Sequence, residues 1–123
     1  MIAFSDLVVR YPGAASNAVD GVSFVSERGS LTALAGPNGS GKSSIVRALL
    51  RRAETPGGSA SIDGKDVRSL SYSELARKVA VVPQREETAF PIRVNDYVSL
   101  GRYPHLGLWS APGASDRAAV AEA

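Results

Sequence analysis

Apolar and polar positions alternate in short blocks along this chain, and the period of each block predicts an element. Residues 2–10, Ile-Ala-Phe-Ser-Asp-Leu-Val-Val-Arg, read as a strand, and Tyr11-Pro12-Gly13 ends it with turn chemistry. A small polar loop covers Ala14 to Asn17. Val19 to Val25 follows as a second strand, with Val19, Val22 and Phe24 as its apolar points. Glu27-Arg28-Gly29-Ser30 is a turn. Leu31 to Ala35 is a short apolar run of the length expected for a buried strand. The period then changes. Ile45, Val46, Leu49, Leu50 and Ala53 recur at helical spacing, with Arg47, Arg51 and Arg52 on the opposite, solvated side. Thr55 to Ser59 reads as a loop, Ala60 to Ile62 as a short strand and Asp63-Gly64 as a tight turn. Ser71-Tyr72-Ser73-Glu74 has the form of a capping box. The helix it opens carries Tyr72, Leu75, Ala76 and Val79 on one stripe. Val79 to Val82 reads as a second buried strand, ending at Pro83-Gln84, with charged residues Arg85 to Glu87 after it. Val94, Tyr97, Val98 and Gly101 begin another helical pattern, Leu106 to Gly113 is loop, and Ser115-Asp116-Arg117 opens a last helix that runs to Ala123. That helix carries no C-cap signal, so the chain is expected to stop within an element, as a truncated chain would.

One segment stands outside these periods. Gly36-Pro37-Asn38-Gly39-Ser40-Gly41-Lys42-Ser43-Ser44 matches the phosphate-binding loop G-x-x-x-x-G-K-[ST]. Glycines at 36, 39 and 41 free the backbone to wrap a phosphate, and successive N–H groups then form an anion nest. Lys42 adds a charge for the β- and γ-phosphates, and the Ser43 hydroxyl is placed for Mg²⁺. The apolar run before the loop and the amphipathic helix after it supply the strand–loop–helix context that the motif needs. The helix dipole adds to the attraction.

Composition narrows the classes. Hydrophobic residues make up 44% and charged residues 21% of the 123, which is ordinary globular usage for one domain. A net charge of +2 is too small to imply nucleic-acid binding. The absence of cysteine excludes disulfides, thiolate metal sites and a cysteine nucleophile. No apolar run approaches the roughly 20 residues needed to span a bilayer, and the N-terminus lacks the basic start and apolar core of a signal peptide.

Together these residues resemble the N-terminal half of an ABC transporter ATP-binding subunit. The loop Gly-Pro-Asn-Gly-Ser-Gly-Lys-Ser-Ser is that family's usual wording. Tyr11 lies 25 positions before Gly36, where the family has the aromatic of its A-loop. Val81-Val82-Pro83-Gln84 lies where it has its Q-loop. Val94 to Gly101 followed by Arg102-Tyr103-Pro104-His105 resembles the wording of subunits that import iron–siderophore, haem or cobalamin. The family's Leu-Ser-Gly-Gly-Gln signature, its Walker B run ending in Asp-Glu and its switch histidine are not found here. Gly57-Gly58 precedes a strand, and His105, the single histidine, lies too early.

The resemblance implies an α/β fold: a RecA-like P-loop NTPase core with a parallel sheet, plus an N-terminal antiparallel β-subdomain, truncated at the start of the helical subdomain. It implies one incomplete ATPase domain over 1–123, with the antiparallel strands and P-loop core in 1–86 and the Q-loop region and start of the helical subdomain in 87–123. Missing sheet strands would leave apolar edges exposed. The ligands implied are ATP and Mg²⁺. Tyr11 stacks on adenine; Asn38, Gly39, Ser40, Gly41, Lys42, Ser43 and Ser44 hold the phosphates; Ser43 and Gln84 ligate Mg²⁺; Lys42 and Gln84 serve hydrolysis. Implied partners are a transmembrane permease, a second copy of the subunit and, indirectly, a periplasmic or lipoprotein solute-binding protein, with no nucleic acid. The place implied is the cytoplasmic face of the inner membrane. Hydrolysis by this chain alone is expected to be near background. Phe90-Pro91 suits either a contact with the permease or core packing. Two other readings stand beside this one: a non-catalytic, truncated nucleotide-binding fragment, and a P-loop kinase acting on a small metabolite.

Overall fold

The computed structural model describes residues 1–84, 90–107 and 110–123. The chain divides into two compact units, Met1–Ser71 and Tyr72–Ala123.

The first unit is built on a four-stranded antiparallel sheet of order β2-β1-β3-β4. Its strands are β1 (Ile2–Arg10), β2 (Val19–Ser26), β3 (Glu54–Ile62) and β4 (Lys65–Asp66). The two N-terminal strands fall where the alternation predicts. Phe4 pairs with Phe24 on one side and with Ala60 on the other. The two phenyl rings lie 4.7 Å apart at a tilt of 31°. Phe4, Leu7 and Val9 are buried, and the step of three between Phe4 and Leu7 breaks the period of two that a regular strand keeps. A bulge accounts for it. The register shifts between Phe4 and Leu7 against β2 and between Ser5 and Val8 against β3. Asp6 takes a φ of 44° at this point, and its amide donates to Ser23 Oγ at 2.7 Å. The inserted residue restores the apolar face for Leu7 and Val9.

The same bulge corrects the reading of Thr55 to Ser59 as a loop. These residues lie inside β3. Gly57 and Gly58 do not end the strand; they let it pass the bulge. A Cβ at Gly58, where φ is +70°, would collide with the carbonyl of Asp6. The turn at Asp63-Gly64 is as expected, with positive φ at both residues. Asp63 is tied by ion pairs to the N-terminal amine at 3.0 Å and to Arg28 at 2.9 Å. The amine, followed by Arg28, lowers its pKa to about 2.

Helix α1 (Lys42–Leu49) lies against β1 and β3 and buries Ile45, Ala48 and Leu49. Val46 was expected on that face but is exposed. The helix stops earlier than its apolar spacing suggests. Leu50 is the C-cap, Arg51 takes φ +57°, and Arg51 N and Arg52 N donate to Ala48 O and Arg47 O. That bond pattern is a Schellman ending in which arginine occupies the left-handed position usually given to glycine. Val67, in a 3-10 turn over Val67–Ser69, and Leu70 complete the core.

The second unit contains α2 (Tyr72–Ala76), α3 (Val94–Leu100), a 3-10 turn at Tyr103–His105 and α4 (Ala114–Glu122). Leu75 is buried, whereas Tyr72 and Ala76 of the expected stripe are exposed. The Pro104 carbonyl accepts from Ser73 Oγ and from Arg77 Nη1, each at 2.9 Å. Arg102 pairs with Asp116 at 2.9 Å, and the other Asp116 oxygen accepts from the Gly113 amide at the start of α4. The Gly113 amide and Arg102 together lower the Asp116 pKa. In this chain the Gly-Arg-x-Pro-His segment therefore ties α2 and α4 together.

Two expectations of buried parallel strands are corrected. Leu31 to Ala35 and Val79 to Val82 are not strands; both lack regular secondary structure and a ladder partner. Leu31 is 99% exposed and Val82 95%. A parallel strand is stable only with neighbours hydrogen-bonded beside it and helices over its faces. Among the described residues every strand pairing is antiparallel. The charged residues Arg85 to Glu87 lie outside the described residues. Phe90 is exposed, as are Val94 and Leu100 of α3.

Candidate phosphate-binding site

The site is assembled from the N-terminus of α1 upward. A helix leaves the N–H groups of its first turn without carbonyl partners one turn earlier. Most helices cover them with a serine, threonine or aspartate side chain at the N-cap. Here the N-cap is Gly41, which has no side chain to offer, and the first turn holds no acidic residue. The donors of residues 42–44 are thus left for an external acceptor. Gly41 takes φ +87°, and a Cβ on it would run into the Ala18 carbonyl and lie 3.0 Å from Val19 Cγ2. Only glycine lets the loop pack against the start of β2. Ala18 is itself fixed by its amide donating to Val9 O at 2.8 Å. The sheet therefore sets the position of the helix N-terminus.

Lys42 is folded over the loop. Its Nζ donates to Gly36 O at 2.8 Å, to Pro37 O at 2.7 Å and to Ser40 Oγ at 3.3 Å. The ammonium is held on the concave side of the turn by weakly competing neutral acceptors. A phosphate oxygen is a stronger acceptor for the same donor, because the bond is then charge-assisted on both sides. Asn38, Gly39 and Ser40 form the turn beneath it, closed by Ser40 N donating to Pro37 O at 3.3 Å.

The Ser43 residue is exposed, and the Ser44 residue is buried. Ser44 Oγ accepts from the Tyr11 hydroxyl at 3.2 Å, and Arg47 Nη1 donates to the same hydroxyl at 3.3 Å. The Ser44 bond, followed by the Arg47 bond and charge, lowers the Tyr11 pKa. The structure thus brings Tyr11, residues 38–44 and Arg47 together in the first unit. Gln84 is exposed and belongs to the second unit. Sequence reasoning placed Arg47 on a solvated face and missed its bond to Tyr11. No local pattern signals that bond, since it depends on how β1 packs against α1.

No group of three or more histidine, aspartate or glutamate side chains among the described residues is placed to hold a metal. The first unit offers the exposed Ser43 hydroxyl beside the loop. A hydroxyl suits Mg²⁺, which keeps several waters and is completed by the phosphates of its own ligand.

A glycine-capped helix with a lysine folded over the turn, set on an antiparallel sheet, has the form of a phosphate-binding loop. The chain belongs to the ABC transporter family, whose model matches residues 19–121. It is 38% identical over 113 residues to the hemin import ATP-binding protein HmuV of Rhizobium meliloti, covering 92% of this chain and 42% of that protein. It is 40% identical over 85 residues to the ATP-dependent lipid A-core flippase of Xanthomonas campestris pv. campestris, covering 69% of this chain and 14% of the flippase. The fold matches the dimeric ATP-binding cassette MJ0796, solved in a post-hydrolysis state with ADP and Pi. The TM-score is 0.76 at 20% identity, over 99% of this chain and 55% of the cassette. The chain thus spans about two-fifths of HmuV. Among the described residues no helix is long and apolar enough to cross a membrane.

Proposed function

We propose that this chain binds ATP·Mg²⁺ as part of the ATP-binding subunit of an ABC importer. The observation that carries the reading is the uncapped N-terminus of α1 with the Lys42 ammonium held over the same turn. In this reading the amides of residues 38–44 and Lys42 neutralise the β- and γ-phosphates. Ser43 and Gln84 hold Mg²⁺, which supplies further charge neutralisation when bound. Tyr11 offers its ring to adenine. Gln84 also orients the attacking water, because phosphoryl transfer depends on positioning and charge stabilisation more than on covalent chemistry. We further propose that 1–86 and 87–123 belong to one ATPase domain. Hydrolysis then takes place in an assembly of two such subunits on a permease, at the cytoplasmic face of the membrane.

Import of iron–siderophore, haem or cobalamin is the finer reading. The Gly101-Arg102-x-Pro104-His105 wording supports it, as does the 38% identity to HmuV over 92% of this chain; lipid A-core flippases match at 40% over 69% and at 37% over 82% of it. Calorimetric titration of the purified chain with Mg-ATP tests the core of the proposal. Saturable binding weakened by EDTA is expected, and no heat of binding up to millimolar nucleotide contradicts it. Growth on haem or a ferric siderophore that depends on this gene tests the finer reading; unaltered uptake on its deletion rejects it.

A further inference from the structure

Tyr11, Ser44 and Arg47 make a tie between the end of β1 and the first two turns of α1. Tyr11 opens the Tyr11-Pro12-Gly13 turn, whose backbone is closed by Ala14 N donating to Tyr11 O at 3.0 Å. A ring on such a turn has two free side-chain torsions. Ordering them when a ligand stacks on the ring costs affinity. Here both torsions are fixed beforehand, because the hydroxyl at the far end of the ring is held from two directions, by Ser44 Oγ at 3.2 Å and Arg47 Nη1 at 3.3 Å. A phenol hydroxyl lies in the plane of its ring, so bonds made to it leave the π-faces free. Ser44 is buried and follows Ser43 directly, so the ring is indexed to the phosphate loop itself.

We propose that Arg47 is a positioning residue for base recognition: by holding the Tyr11 hydroxyl it sets the ring in the orientation that receives adenine. This rests on the nucleotide reading above. Arg47 acts through Tyr11 and contributes nothing specific to the phosphates. Its guanidinium is a planar, permanent donor, suited to a fixed bond of this kind.

The test compares two probes, Mg-ATP and Mg-tripolyphosphate, on the full chain and on Arg47→Ala, Tyr11→Phe and the double variant. The readout is the ratio of the two affinities, because losing a positive charge weakens both anions alike. Arg47→Ala and Tyr11→Phe are each expected to lower the ratio roughly five-fold, the worth of one hydrogen bond. The double variant is expected to lose no more than either single one. An unchanged ratio in Arg47→Ala, or additive losses, would overturn the proposal. If the unaltered chain bound neither probe, the nucleotide reading itself would fall. The tie is then read without nucleotide, by the titration of ring-labelled tyrosine, with Tyr11 assigned through Tyr11→Phe. Its phenol is expected to ionise below the ordinary tyrosine range and to return towards it in Arg47→Ala. A titration that Arg47→Ala leaves unmoved would overturn the tie.

Discussion

Residues 2–10 and residues 31–35 carry the same message in the sequence and meet opposite fates in the structure. Both are short, apolar and bounded by turn residues. The first becomes β1, with β2 on one edge and β3 on the other, and its Leu7 is completely buried. The second has no ladder partner and is exposed, with Leu31 at 99%. Apolar patterning states that a segment is fit to be buried. Whether it is a strand depends on a ladder partner elsewhere in the chain, because the backbone N–H and C=O groups must be satisfied along with the side chains. The antiparallel strands find partners within the first 66 residues. The segments read as parallel find none among the described residues.

The sharpest way to probe this contrast is to shorten a leucine in each segment. Leu7→Ala removes a fully buried side chain and is expected to cost about 3 kcal/mol, read as a lower denaturant midpoint. Leu31→Ala is expected to change stability by less than about 0.5 kcal/mol. Equal losses would mean that residues 31–35 are packed in solution, and the contrast would disappear. A smaller effect tests the bulge that lets β1 keep its partners. Gly58→Ala forces a side chain into a left-handed conformation against the Asp6 carbonyl and is expected to cost about 2 kcal/mol. A neutral substitution there would show that β1 and β3 pair without the bulge.

The smallest effect concerns the tie at the end of the sheet. The Asp63 pKa is lowered to about 2 by the N-terminal amine and Arg28. A carboxyl whose folded pKa lies below its unfolded value near 3.9 adds stability that is fully present above about pH 4. That stability is lost as pH falls towards 2. Asp63→Asn is expected to lower stability slightly in the neutral region and to flatten the acid limb over that window, so that the two proteins converge as pH falls towards 2. An identical acid limb in both proteins would argue that the pair is not formed.

How much was legible follows from the range of the interactions. β1, β2 and the Asp63-Gly64 turn were readable because alternation and turn chemistry act over a few residues. The turn at 36–44 ahead of a helix was readable because its spacing is a covalent matter. Three features were not. Gly57-Gly58 looks like a loop until the bulge at Asp6, some fifty residues away, explains it. Arg47 looks like a solvated residue until β1 brings Tyr11 beside it. Val46 keeps helical spacing with Ile45 and Leu49 yet is exposed, because α1 presents Ile45, Ala48 and Leu49 to the core. In the second unit, Arg102 and Pro104 were readable as a family wording. Their work within this chain, holding Asp116 and accepting from Ser73 and Arg77, required coordinates.

The central claim is that the turn at 36–44 and the ammonium folded over it receive the phosphates of a nucleotide. Lys42→Ala removes that ammonium and leaves the glycine-capped helix in place. Isothermal titration with Mg-ATP, on proteins matched for folding by circular dichroism, is expected to show at least a roughly ten-fold weaker Kd in the variant, the worth of one charge-assisted bond. An unchanged Kd in a folded Lys42→Ala protein would contradict the account.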